Sequence, residues 1–81
     1  MKTRSDKELK DFATLITTYS FNYAMGKKYN DPTLMDVSLE RFTTLSNLLN
    51  SEGYYVERAG KDHLDNFGIT YSTYEVRESE L

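Results

Sequence analysis

Residues 69–76 read Ile-Thr-Tyr-Ser-Thr-Tyr-Glu-Val. β-branched and aromatic side chains fill this stretch, and no Gly or Pro interrupts it, which is the composition of a strand. Tyr54-Tyr55-Val56 has the same character. Together they predict a ribbon with strands at about residues 54–58 and 68–76. The segment between them, Gly60-Lys61-Asp62-His63-Leu64-Asp65-Asn66, is longer than a tight hairpin loop and has room for a helical turn. An isolated two-stranded ribbon is marginal in water, so it must lean on the rest of the chain or pair with another one.

What precedes the ribbon reads as two helices. Ser5 and Glu8 form a capping box that opens the first, at about residues 6–25. Residues 1–4 are expected to fray. Leu9, Phe12, Ile16, Tyr19 and Tyr23 recur in steps of three and four, a helical apolar stripe. Ala13, Ser20 and Ala24 widen it with small side chains. Gly26 is placed as the residue after the helix end, with Lys27 and Lys28 favouring the negative end of the dipole. Asp31-Pro32 opens the second helix, at about residues 32–51. A residue before proline avoids the helical region and suits the N-cap, and proline suits the first helical turn. Leu34, Met35, Leu39, Phe42, Leu45 and Leu49 share one face, and Gly53 closes the helix. Two helices joined by a short loop pack antiparallel. The fold expected is α+β: an antiparallel two-helix hairpin followed by a β-ribbon, in the order ααββ, as one small domain.

The totals exclude several function classes. The chain has 81 residues, no cysteine and a net charge of −3. A chain this small has a thin core, supported by close helix packing or by oligomerisation. Thiolate metal sites and disulfides are impossible. The acidic balance opposes a general nucleic-acid role, which shows as a basic domain. No apolar segment follows Met1-Lys2-Thr3-Arg4 before Asp6 and Glu8, which argues against a secretory signal and for the cytoplasm. No run is long and apolar enough to span a bilayer. Seven Tyr and four Phe, with many Lys and Asn, suggest AT-rich coding of the low-GC bacterial or phage kind.

The most unusual stretch is Phe12–Met25, which carries no charged residue on any face. Opposite the core stripe stand Thr14, Leu15, Thr18, Phe21, Asn22 and Met25. Solvent-facing helical surfaces normally carry Lys, Glu or Arg. This second face is expected to be covered, either by the ribbon or by a partner, since interface cores are poor in charge and rich in aromatics and Met. Leu15, Phe21 and Met25 are the candidate contacts on the helix. Tyr54, Tyr71 and Tyr74 are the candidates on the ribbon, because Tyr gives large contact area at low entropy cost. Lys27 and Lys28 are a weak candidate for holding an anion.

No catalytic, cofactor or metal signature appears. Asp62, His63 and Asp65 are the one cluster of acid–base groups. A single His with neighbouring carboxylates lacks the ligands of a zinc site, and the Asp/Gly spacing of a calcium loop is missing, so a solvated turn is the reading. Residues 63–77 resemble a helix-turn-helix. Phe67-Gly68-Ile69-Thr70 would be the turn, and Ser72 with Glu75 would cap a recognition helix. That resemblance implies an all-α alternative fold and a small DNA-binding regulator. It departs from the pattern at Tyr74 and Arg77, and Glu75, Glu78 and Glu80 would repel phosphates. The helix pair around Asn30-Asp31-Pro32 also resembles the two-helix phosphatase regulators of sporulation phosphorelays. Their second helix carries Ser…Leu-Asp, whereas this chain has Ser38-Leu39-Glu40, so no activity carries over.

The function expected is that of a non-enzymatic binding protein. It would be a small regulator or inhibitor acting on another protein or on itself as a homodimer, with no cofactor. An oligomeric binder of an anionic ligand such as a nucleotide is the third alternative.

Overall fold

The computed structural model describes residues 4–79. Its elements are α1 (Asp6–Lys28), α2 (Pro32–Ser51), β1 (Tyr54–Leu64) and β2 (Thr70–Glu78), the expected ααββ order. α1 and α2 pack as a hairpin, and β1 and β2 pair antiparallel. β2 lies along α1, while β1 is the outer strand and touches α2 more sparsely. The molecule is elongated, 42 × 24 × 19 Å.

Local chemistry sets the helix starts. Ser5 accepts from the Glu8 N–H, and the Glu8 carboxylate accepts from the Ser5 N–H, which closes the capping box. Asp31 accepts from the Leu34 N–H at 3.1 Å ahead of Pro32. Arg4 is not frayed. Its guanidinium makes two bonds to the Glu52 carboxylate, at 2.6 and 2.8 Å, and lies 4.8 Å from the Phe12 ring centroid. Its backbone N–H donates to the Tyr54 hydroxyl at 3.0 Å. One residue thus ties together the start of α1, the end of α2 and the start of β1.

The end of α1 differs from the sequence reading. Gly26 is a buried helical residue, and the helix continues to Lys28. A Cβ on Gly26 would stand 2.9 Å from Met35 Cγ and 3.1 Å from the Asp31 carbonyl oxygen, so glycine here serves the close approach of α2. The left-handed residue that stops α1 is Asn30, at φ +55°. The Asp31 N–H donates to the Gly26 carbonyl at 2.7 Å and the Asn30 N–H to Lys27, the Schellman pattern with asparagine in glycine's usual place. Gly53, at φ +88°, closes α2 as expected.

The ribbon is longer than predicted. β1 runs to Leu64, so Asp62 and His63 lie in a strand rather than in a loop, and no helical turn forms. The register shifts between Ala59 and His63, where Gly60 takes φ +66°, and pairing resumes at His63–Tyr71 and Leu64–Thr70. This bulge absorbs residues that would otherwise form a loop. The Asp65 carboxylate then organises a tight turn, accepting from the Phe67 and Ile69 N–H groups at 2.9 and 2.8 Å. Residues 63–77 therefore form a β-hairpin, and the helix-turn-helix alternative is not adopted. The strand forms because Tyr74 and Val76 pack onto the core made by Leu9, Ile16, Leu49 and Tyr54.

Candidate functional site

α1 has three distinct sides. Its core side buries Leu9 and Ile16 against α2 and the ribbon. Its second side meets β2: Phe21 packs edge-on to Tyr71 with centroids 5.1 Å apart, and Thr17 Oγ1 accepts from the Tyr74 N–H at 2.9 Å. The third side carries Thr14, Leu15 and Thr18, all exposed. Thr14 and Thr18 satisfy their hydroxyls by donating to carbonyls one turn back, at 3.1 and 2.9 Å. Within the chain only part of the neutral face is covered. The ribbon lies on one flank and reaches Phe21 but not Leu15, which is 40% exposed.

Leu15 opens onto a groove between the helices. Tyr19 lines it from α1, and Glu40, Arg41, Thr44, Leu45 and Leu48 line it from α2. Leu48 is 44% and Val37 40% exposed. Along its α2 wall the charged pair Glu40 and Arg41 comes first, and Leu45 and Leu48 make the apolar end. Leu39, expected on the buried face, is about half exposed.

The structure separates the other candidates. Tyr54 is 1% exposed and belongs to the core. Tyr74 is half-buried edge-on against Phe42, and Tyr71 is half-buried between Phe21 and His63. Alternation puts Tyr54 and Tyr74 on the core face and turns Tyr55 outward, while Tyr71, three residues from Tyr74, packs sideways against Phe21. Met25 is half-buried. Lys27 and Lys28 are exposed in the last turn of α1, and Lys28 donates to the Gly68 carbonyl at 3.3 Å, which pins the ribbon turn to the helix end. At that turn Leu64 and Phe67 project into solvent, the most exposed large apolar side chains described. Sequence reasoning missed Leu48, Val37, Leu64 and Phe67. Leu48 and Val37 had a legible signal, a second stripe on α2 beside the core stripe.

The acid–base cluster is structural. Asp62 accepts from Ser72 Oγ and from the Arg58 guanidinium, which hold its carboxyl below the usual carboxylate range. His63 stacks on Tyr71 at 5.4 Å. Asp65 is committed to the turn. Among the described residues no three His, Asp or Glu side chains converge to hold a metal ion. No helix there is long and apolar enough to cross a membrane. No protein-family model, characterised protein or solved structure matches the chain.

Proposed function

We propose that this chain is a small non-enzymatic binding protein, a regulator or inhibitor of bacterial or phage type that acts in the cytoplasm. It works by protein–protein contact through the open flank of its helical hairpin. The observation that carries this reading is the exposure of Leu15 and Leu48 on facing helices across one groove, on the flank the ribbon leaves uncovered. Interface cores are poor in charge, and among the described residues that line the groove Glu40 and Arg41 alone are charged.

The DNA-binding alternative needs a recognition helix where this chain has β2. The anionic-ligand alternative needs tyrosines converging on Lys27 and Lys28, whereas Tyr54 and Tyr74 face the core.

The test is affinity capture with immobilised wild type, Leu15→Glu and Leu48→Glu, each first checked for an unchanged circular-dichroism spectrum. Loss of the captured protein with both variants supports the reading. Equal capture by all three contradicts it.

A further inference from the structure

We infer that a recess between α1 and the ribbon turn binds an ammonium group carried on a short alkyl stem. The recess lies on the ribbon-facing flank of α1, away from Leu15, and is independent of the contact reading of the hairpin groove.

The recess has a volume of about 320 Å³ and is lined by Thr17, Thr18 and Phe21 of α1, Tyr71 of β2 and Asp65 of the turn. That is the small end of the size range of ligand sites, which set a few polar groups among apolar and aromatic walls. Thr18 is exposed, and the other four side chains are half-buried.

Asp65 holds the turn through one oxygen alone. Oδ1 accepts from both the Phe67 and the Ile69 N–H groups, at 2.9 and 2.8 Å. Oδ2 accepts no hydrogen bond among the described residues, and no Lys or Arg among them forms an ion pair with Asp65. Lys28, at the same turn, donates to the Gly68 carbonyl instead. An ionised carboxylate accepts at both oxygens, so part of this one's capacity is open to a donor from outside the chain. The helix wall supplies no cation of its own, because α1 has no charged residue from Phe12 to Met25.

The other walls narrow the class of that donor. Thr18 spends its proton on the Thr14 carbonyl at 2.9 Å and keeps only acceptor lone pairs. Thr17 Oγ1 already accepts from the Tyr74 N–H. Phe21 and Tyr71 meet at 90° with ring centroids 5.1 Å apart, so they form an aromatic corner. Aromatic faces attract cations. A carboxylate oxygen, a hydroxyl acceptor and aromatic surface together suit a positive group with several donors and no acceptor. An alkylammonium is such a group, with three N–H donors and an apolar stem to lie against the rings. An anion would be repelled by Asp65, and an uncharged apolar ligand would leave Oδ2 desolvated without a partner. The ammonium belongs either to a free amine or to a lysine side chain of another protein.

The test titrates the full chain with n-butylammonium, and with n-butanol as its uncharged counterpart, followed by amide NMR. Butylammonium should give saturating shifts in the millimolar range at Thr17, Thr18, Phe21 and Tyr71. Butanol should bind at least about tenfold more weakly, the factor expected of one charge-assisted hydrogen bond. Asp65→Asn keeps an oxygen for the two turn bonds and removes the charge, so it should lose the butylammonium shifts while the ribbon signals stay in place. Butanol that binds as well as butylammonium means an apolar recess only and overturns the inference, whether or not Asp65→Asn folds. Butylammonium shifts that stay linear through the millimolar range overturn it too, as does Asp65→Asn that binds butylammonium like wild type. Affinity capture with Asp65→Asn then separates the two sources, and either result supports an ammonium site. Lost capture means that a lysine of the captured protein fills the recess. Retained capture with lost butylammonium binding means a free amine.

Discussion

Thr17 Oγ1 on α1 accepts a hydrogen bond from the backbone N–H of Tyr74 on β2, at 2.9 Å. The outer edge of a two-stranded ribbon exposes unpaired N–H groups, and this one is met by a helix side chain instead of a third strand. A charged residue at position 17 would not fit so close to the strand. Part of the neutrality of α1 thus has a cause within the monomer. Thr17→Val should leave the Tyr74 N–H without its acceptor and cost about 1–2 kcal/mol, read by urea unfolding. Thr17→Ser keeps the hydroxyl and should recover most of that loss. Equal stability of the valine variant and wild type would mean that the bond contributes nothing.

Gly26→Ala tests the close approach of the helices. Alanine favours a helix over glycine by about 1 kcal/mol, so propensity alone predicts stabilisation. The new Cβ would meet Met35 Cγ at 2.9 Å and the Asp31 carbonyl and Met35 backbone nitrogen at 3.1 Å. Two of those neighbours are backbone and cannot rotate away. Overpacking of this kind costs about 1–3 kcal/mol, so the variant should be less stable in thermal unfolding.

Ser46 is the converse case. Its hydroxyl is buried and makes no hydrogen bond among the described residues. An unsatisfied buried hydroxyl costs about 1–3 kcal/mol, and alanine is the better helix former. Ser46→Ala should raise stability by about 1 kcal/mol, visible as a higher unfolding midpoint in denaturant.

The Arg4–Glu52 clamp predicts an acid limb. Two hydrogen bonds from Arg4, and then its charge, hold the Glu52 carboxyl below its ordinary value of 4.5. A carboxyl with a lowered folded-state pKa stabilises the fold at pH above the unfolded value. That contribution is lost as pH falls through the folded value. The melting-temperature gap between wild type and Glu52→Gln should therefore be constant near neutral pH and close as pH drops below about 4.5. A gap that persists at low pH would show that the substitution acts through packing rather than charge.

Much of the fold was legible because its determinants are local. The Ser5–Glu8 box, the Asp31-Pro32 start and the Gly53 stop each need only a few neighbouring residues, and all three are in place. Gly26 was misread because its constraint is tertiary. Nothing within α1 reveals that α2 approaches there, and Asn30 serves as the left-handed stop as well as glycine does. The β1 extension was missed because Gly60 suits a turn and a bulge equally, and only the pairing of His63 with Tyr71 decides between them. For the site, periodicity separated a core side of α1 from a neutral one. It could not say on which flank the ribbon lies, and that choice leaves Leu15 open and covers Phe21.

The open hairpin flank is tested most directly by the methyl NMR spectrum of the full chain titrated with the protein that it captures. Shifts or broadening are expected at Leu15 and Leu48, with the core methyls of Ile16 and Leu49 unmoved. Shifts confined to Leu64 at the ribbon turn, with Leu15 and Leu48 unmoved, would contradict a contact through that flank.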